Sequence, residues 1–191
     1  MGNSHSNGTN LMSSDIERLM RETGFSRDQL KHLYVRFCYI DKKGRGYLTP
    51  EDFTAISELT LNPLGARIVG TLFTHAGCEE PKMVFRQFVH VLSTFRPIDN
   101  HSRTLVNAKI QKMRFAFEIC DVDGNGYITR NDFRKTLAKV LGTKIPIDRI
   151  DQIFDLSISE SDGDQDEKIS FNEFCKAMDN VEVVKRMSIY L

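Results

Sequence analysis

Apolar residues recur at helical spacing through most of this chain and are interrupted by four short polar loops. Leu30, Leu33, Tyr34, Phe37 and Ile40 make one stripe, Leu64, Ile68, Val69, Leu72 and Phe73 a second, and Phe85, Phe88, Val89, Leu92 and Phe95 a third. Ile110, Met113, Phe117 and Cys120 follow, then Phe133, Leu137, Val140 and Leu141, and last Phe171, Phe174 and Met178. Steps of three and four residues bring each set onto one face of a helix. Ser14-Asp15-Ile16-Glu17 and Ser26-Arg27-Asp28-Gln29 read as capping boxes. Thr49-Pro50 and Asn62-Pro63 read as helix starts with proline in the first turn, and Gly142 reads as a helix stop. The pattern predicts an all-α chain of four helix–loop–helix units at a roughly regular period.

Two of the loops carry chemistry. The first runs from Asp121 to Asp132 and the second from Asp162 to Glu173. Both set oxygen-bearing side chains at positions one, three, five, nine and twelve, and both have Ile at position eight. That is the spacing of an EF-hand calcium loop, in which alternate residues of a tight turn point oxygens at one hard cation. Asp121, Asp123, Asn125, the Tyr127 carbonyl and Asp132 are the predicted ligands of the third loop. Asp162, Asp164, Asp166, the Lys168 carbonyl and Glu173 are those of the fourth. Asp132 is one methylene shorter than the usual Glu, so the third loop is expected to hold calcium more weakly and to accept magnesium. In the fourth loop, Glu167 stands at position six, where a left-handed backbone favours Gly.

The other two loops keep the frame and lose the ligands. In Asp41–Asp52, Gly46 and Leu48 hold positions six and eight, but Lys43 and Arg45 stand at three and five and would repel a cation. Around Ala76–Met83 the carboxylate ligand is Glu80, and Pro81 stands where Gly is expected. Both loops are expected to bind no calcium. Because EF-hands work in pairs, Leu48 should face Met83, and Ile128 should face Ile169, across short two-stranded pairings. The expected organisation is a flexible N-terminus at 1–12 and an N-lobe of two degenerate hands at 13–96. A linker at 97–107 is opened by Pro97, which disfavours helix at Arg96. A C-lobe of two calcium-binding hands spans 108–180, and an apolar tail 181–191.

Composition narrows the picture further. The 191 residues include thirteen Phe, enough for a real core, and 26 basic residues balance 26 acidic ones, which argues against a nucleic-acid partner. Cys38, Cys78, Cys120 and Cys175 are scattered and read as reduced thiols. No apolar run is long enough to cross a bilayer. The opening Met1-Gly2-Asn3-Ser4-His5-Ser6 fits the N-myristoylation signal, with Gly2 as acceptor. No nucleophile–base pair, phosphate loop or catalytic carboxylate pair stands out, so the chain reads as non-enzymatic.

The chain as a whole resembles the calcineurin B homologous proteins. The resemblance rests on Glu22-Thr23-Gly24-Phe25-Ser26, Asn62-Pro63-Leu64-Gly65, Phe95-Arg96-Pro97-Ile98, Phe115-Ala116-Phe117, Ile169-Ser170-Phe171 and Lys185-Arg186-Met187-Ser188-Ile189. It departs from them at Asp132, where the family has Glu, and in a shorter linker. The resemblance implies a myristoylated calcium-binding protein that binds an amphipathic juxtamembrane helix in the cytosolic tail of a sodium/proton exchanger and supports its activity. Two other readings stand beside it: a regulatory B-type subunit of a calcineurin-like phosphatase, and a free calcium sensor with a myristoyl switch. The implied location is the cytoplasm and the inner face of the plasma membrane, with the nucleus as a further compartment. The groove for the partner is expected to include Phe88, Leu92, Phe117, Leu137 and Phe174. The tail, from Val181 to Leu191, either fills that groove in the partner's absence or packs as a last helix.

Overall fold

The computed structural model describes residues 13–97, 109–142 and 145–189. Gly2 with the rest of the N-terminal segment, and residues 98–107 of the predicted linker, lie outside the described residues. The architecture is all-α, with four EF-hand units in sequence. Helices α1 (Ser13–Thr23) and α2 (Arg27–Ile40) come first, and strand β1 (Tyr47–Leu48) lies in the first loop. A 3-10 helix (Pro50–Ala55), α3 (Ser57–Thr60), α4 (Gly65–His75), β2 (Met83–Val84) and α5 (Phe85–Ser93) complete the N-lobe. The C-lobe holds α6 (Lys109–Cys120), β3 (Tyr127–Ile128), α7 (Arg130–Leu141), α8 (Ile147–Ser161), β4 (Ile169–Ser170), α9 (Phe171–Ala177) and α10 (Val183–Arg186).

Local chemistry sets these boundaries. The Ser26 hydroxyl accepts from the Gln29 amide at 3.2 Å, and the Gln29 side chain accepts from the Ser26 amide at 3.0 Å, closing the expected box. Gly142, at φ 70°, ends α7. Three expected starts differ. Ser14 lies inside α1, which already includes Ser13, so the Ser14–Glu17 box does not open it. Thr49-Pro50 opens a 3-10 helix, not an α-helix: its amides bond three residues back, Asp52 to the Thr49 carbonyl and Ile56 to the Phe53 carbonyl, each at 3.0 Å, and Ile56 ends it in extended geometry. The Asn62 side chain accepts from the Leu64 amide at 2.9 Å, which makes a turn and delays α4 to Gly65.

The loop pairings have the predicted register. Leu48 opposes Met83, and Ile128 opposes Ile169, each across an antiparallel two-residue pair. Leu48 and Met83 are fully buried. Above them the N-lobe core is built from phenylalanines: Phe37 meets Phe85 and Phe88 edge-on at 5.5 and 5.6 Å, and Phe53 meets Phe73 at 5.8 Å.

The lobes are unequal. Among the described residues, sixteen buried apolar side chains lie in the N-lobe and seven in the C-lobe. The exposed ones run the other way: Val140, Leu141, Ile147, Ile153 and Leu156 all face out from α7 and α8. The C-lobe therefore leaves unburied much of the surface that its helix stripes could bury.

Candidate metal centre

The third loop gathers its predicted carboxylates. Carboxylate oxygens of Asp121, Asp123 and Asp132 lie within 4.8 Å of one another. The loop holds this shape through its own backbone. Asp121 Oδ1 accepts from the Gly124 and Asn125 amides at 2.9 and 3.1 Å, and Oδ2 from the Gly126 amide at 2.9 Å. Gly124 and Gly126, at φ 72° and 88°, supply the left-handed turns that aim those amides inward. The Asn125 side-chain oxygen accepts from the Tyr127 amide at 2.9 Å.

Asp132 does two jobs. Its Oδ2 accepts from the Thr129 amide at 3.0 Å and from the Thr129 hydroxyl, capping α7. Its Oδ1 is buried and has no hydrogen-bond partner. An orphaned buried oxygen within a cluster of carboxylates is what a hard cation fits. With one oxygen spent on the cap, Asp132 has one left for a metal.

In the fourth loop Asp162, Asp164 and Asp166 bring carboxylate oxygens within 4.8 Å of one another. Asp162 Oδ2 accepts from the Glu167 amide at 2.9 Å and Oδ1 from the Gln165 amide at 2.7 Å. Burial pushes the Asp162 carboxyl up, but these amides outweigh it and hold it below the usual range. Asp164 is raised, first by burial and then by the negative charges of Asp166 and Glu173. Glu173 Oε1 accepts from the Gly163 amide at 2.8 Å, and Oε2 from the Ser170 amide and hydroxyl at 2.9 and 2.7 Å. Like Asp132, it is both a predicted ligand and the capping residue of the next helix. Glu167 is left-handed at φ 60°, as expected, and so is Gln165 at φ 62°. The third loop has Gly at both of those places, which was the readable signal for the second strained position.

The first loop contains a cation of its own. Arg45 Nη2 pairs with Asp52 Oδ2, and Arg45 Nε lies 3.7 Å from Asp41 Oδ1. The guanidinium thus stands between the first and twelfth positions of the loop. Burial pushes the Asp52 carboxyl up, but the Thr49 amide and hydroxyl and then Arg45 hold it low. In the second loop Glu80 turns to Lys82 at 2.6 Å, and position twelve is the neutral Gln87, whose side chain caps α5 at the Val84 amide.

The nominated groove residues fall into two groups. Phe88 and Phe117 are 4% and 2% exposed and belong to the cores of their own lobes, whereas Leu92, Leu137 and Phe174 are half-buried. The tail packs as a short helix against α6. The Ile189 amide donates to the Phe95 carbonyl at 2.6 Å, and the Met187 carbonyl lies 3.4 Å from Lys112 Nζ. Lys112 is fully buried, and its ammonium also donates to the carbonyls of Thr94 and Arg96 at 2.6 and 2.8 Å. Arg67, on α4, donates to the carbonyls of Glu118, Ile119 and Asp121 at the end of α6. Neither junction cation was marked by the helical stripes.

A family model described as an EF-hand domain pair matches residues 110–179. Over 185 residues the chain is 32% identical to the B subunit of calcineurin from Naegleria gruberi, covering 97% of this chain and 98% of that one. It is 35% identical to the type 1 B subunit of calcineurin from Dictyostelium discoideum over the same length, with 97% and 95% covered. A chain in a solved structure described as a PP2A PR70 holoenzyme superposes with a TM-score of 0.54 at 17% identity, covering 80% of this chain and 55% of that one. That last likeness is one of fold.

Proposed function

Because the chain belongs to the calcineurin B-like EF-hand family of calcium-binding regulatory proteins, we propose that it grips one amphipathic helix of a larger partner against its C-lobe. Loops three and four would hold one divalent ion each, through Asp121, Asp123, Asn125, Tyr127 and Asp132, and through Asp162, Asp164, Asp166, Lys168 and Glu173. The ions neutralise converging carboxylates and fix the angles at which α6–α9 leave the loops. Loop three, with a single free Asp132 oxygen, is the one suited to magnesium.

The observation that carries the reading is the exposure of Val140, Leu141, Ile147, Ile153 and Leu156 on α7 and α8, the helices that leave the third loop and enter the fourth. Apolar side chains left bare in such number on one helix pair mark a place where another chain packs. Leu137 on α7 and Phe174 on α9 are half-buried. Two partner classes have support. Calcineurin B relatives that match along nearly the whole chain favour a helix of a calcineurin-type catalytic chain. The Thr23–Ser26, Phe95–Ile98 and Lys185–Ile189 stretches favour the tail helix of a sodium/proton exchanger. Lipidation at Gly2, and residence at the inner face of the plasma membrane, belong to the same proposal.

Fluorescent peptides of both helix types, titrated with the full chain in calcium and in chelator, test it. One of them should bind one-to-one in calcium, and Leu156→Asp should weaken it at least tenfold with the fold retained. Calorimetry should count two calcium ions, both lost in Asp121→Ala with Asp162→Ala. A chain that binds calcium and takes neither helix would sink the partner reading.

A further inference from the structure

The outward face of α2 differs from the rest of the surface. Val35 and Tyr39 lie one turn apart and are 67% and 75% exposed. Lys31, His32 and Arg36 flank them on the same face, and Lys42 and Lys43 follow in the turn just past the helix end, all exposed. The acidic neighbours are few. Asp28 is held by Lys31 at 2.9 Å, and Glu58 feels the charge of Arg36. The whole chain carries no net charge, so this face is a local concentration of positive charge and not a reflection of composition. Beside it, and sharing Lys31 and Val35, a slot of about 220 Å³ opens between α1 and α2, walled by Ile16, Leu30, Tyr34 and Phe85.

A helix face with an apolar, aromatic centre and a basic rim matches the layering of a bilayer surface, with anionic headgroups outside acyl chains. We propose that the α2 face, from Lys31 to Lys43, docks on an anionic phospholipid surface. Lys31, Arg36, Lys42 and Lys43 meet the headgroups, and Val35 and Tyr39 sit at the acyl boundary. The contact is independent of the C-lobe helix site, since it uses the opposite lobe, and it needs no lipid on the chain itself. A nucleic acid would use the same basic side chains but would be indifferent to Val35 and Tyr39.

The test uses the full chain with Gly2→Ala, so that no attached lipid contributes, in constant free calcium. Sedimentation is measured with phosphatidylcholine vesicles and with vesicles that also contain phosphatidylserine. The protein should pellet with the phosphatidylserine vesicles, less so at high salt. Arg36→Gln with Lys42→Gln and Lys43→Gln should weaken binding about a hundredfold, at roughly fivefold per charge. Val35→Ser with Tyr39→Ser, which keeps every charge, should weaken it about tenfold. Both sets sit at exposed positions, and an unchanged unfolding curve checks the fold. Equal binding to both vesicle types, or full binding by the triple variant, overturns the proposal. Undiminished binding by the Val35, Tyr39 variant overturns the placement of those two side chains at the acyl boundary.

Discussion

Between Asp41 and Asp52, the Arg45 side chain lies where the third and fourth hands gather carboxylates. Asp41 is 7% exposed, and the Gly46 amide donates to its Oδ2 at 2.7 Å, the same contact that Gly126 makes to Asp121. The first hand thus keeps the geometry of a metal-bearing loop with a covalently attached cation. Removing one partner of a buried pair leaves the others uncompensated. Arg45→Gln should therefore lower N-lobe stability by about 3 kcal/mol in denaturant titration. Adding Asp41→Asn and Asp52→Asn should recover most of that loss. If Arg45→Gln unfolds like the wild type, the guanidinium has no such role. Lys43 and Arg45 were readable as charges hostile to calcium. That one of them would turn inward and serve as the counter-ion depends on side-chain reach, which residue spacing does not encode.

Each of the three loops that keep the twelve-residue acidic frame ends in a residue shared with the following element. Asp52, Asp132 and Glu173 accept from Thr49, Thr129 and Ser170 respectively, so the last ligand position is also the helix cap. Loop shape and helix start are therefore linked in one side chain. The fourth loop reaches this shape against its backbone preference, since Gln165 and Glu167 are both left-handed. Each carries a penalty of about 1 kcal/mol, partly offset in any Gly variant by the freer unfolded chain. Gln165→Gly with Glu167→Gly should raise the thermal midpoint of the calcium-loaded chain, by the equivalent of about 1 kcal/mol. A lower midpoint would show that the strain is compensated elsewhere. At this scale the sequence was informative where a rule is local. The Ser26 box and the Glu167 strain follow from residues within one loop or turn, and the strand registers from matching the eighth positions of paired loops. The 3-10 helix at Pro50 and the delayed start of α4 depend on how two neighbouring turns pack, and periodicity carries no record of that.

Across the whole molecule, two cations hold the lobes together through backbone oxygens. Arg67 ties α4 to the end of α6, and Lys112 ties α6 to the end of the N-lobe and to the tail. Phe95 and Phe115 pack at 4.8 Å beside them. Burial pulls the Lys112 ammonium from its ordinary 10.5 down to about 8. Between those values the unfolded chain binds more protons than the folded one, so stability from this residue rises as pH climbs through that window. Below it the desolvation penalty, about 3 kcal/mol, applies in full. The stability of the wild type relative to Lys112→Met should accordingly increase between pH 8 and 10.5. A pH-independent difference would mean that the amine is hydrated.

The imbalance between the two cores has a consequence in the cell. One half of this molecule is finished by its own phenylalanines, while the other leaves Ile147, Ile153 and Leu156 bare. Such a chain, made in excess of whatever covers that flank, offers quality-control machinery and its own copies a sticky handle. With the proposed partner helix supplied alongside it, the chain should persist longer in cells than when made alone, a difference that pulse–chase labelling measures.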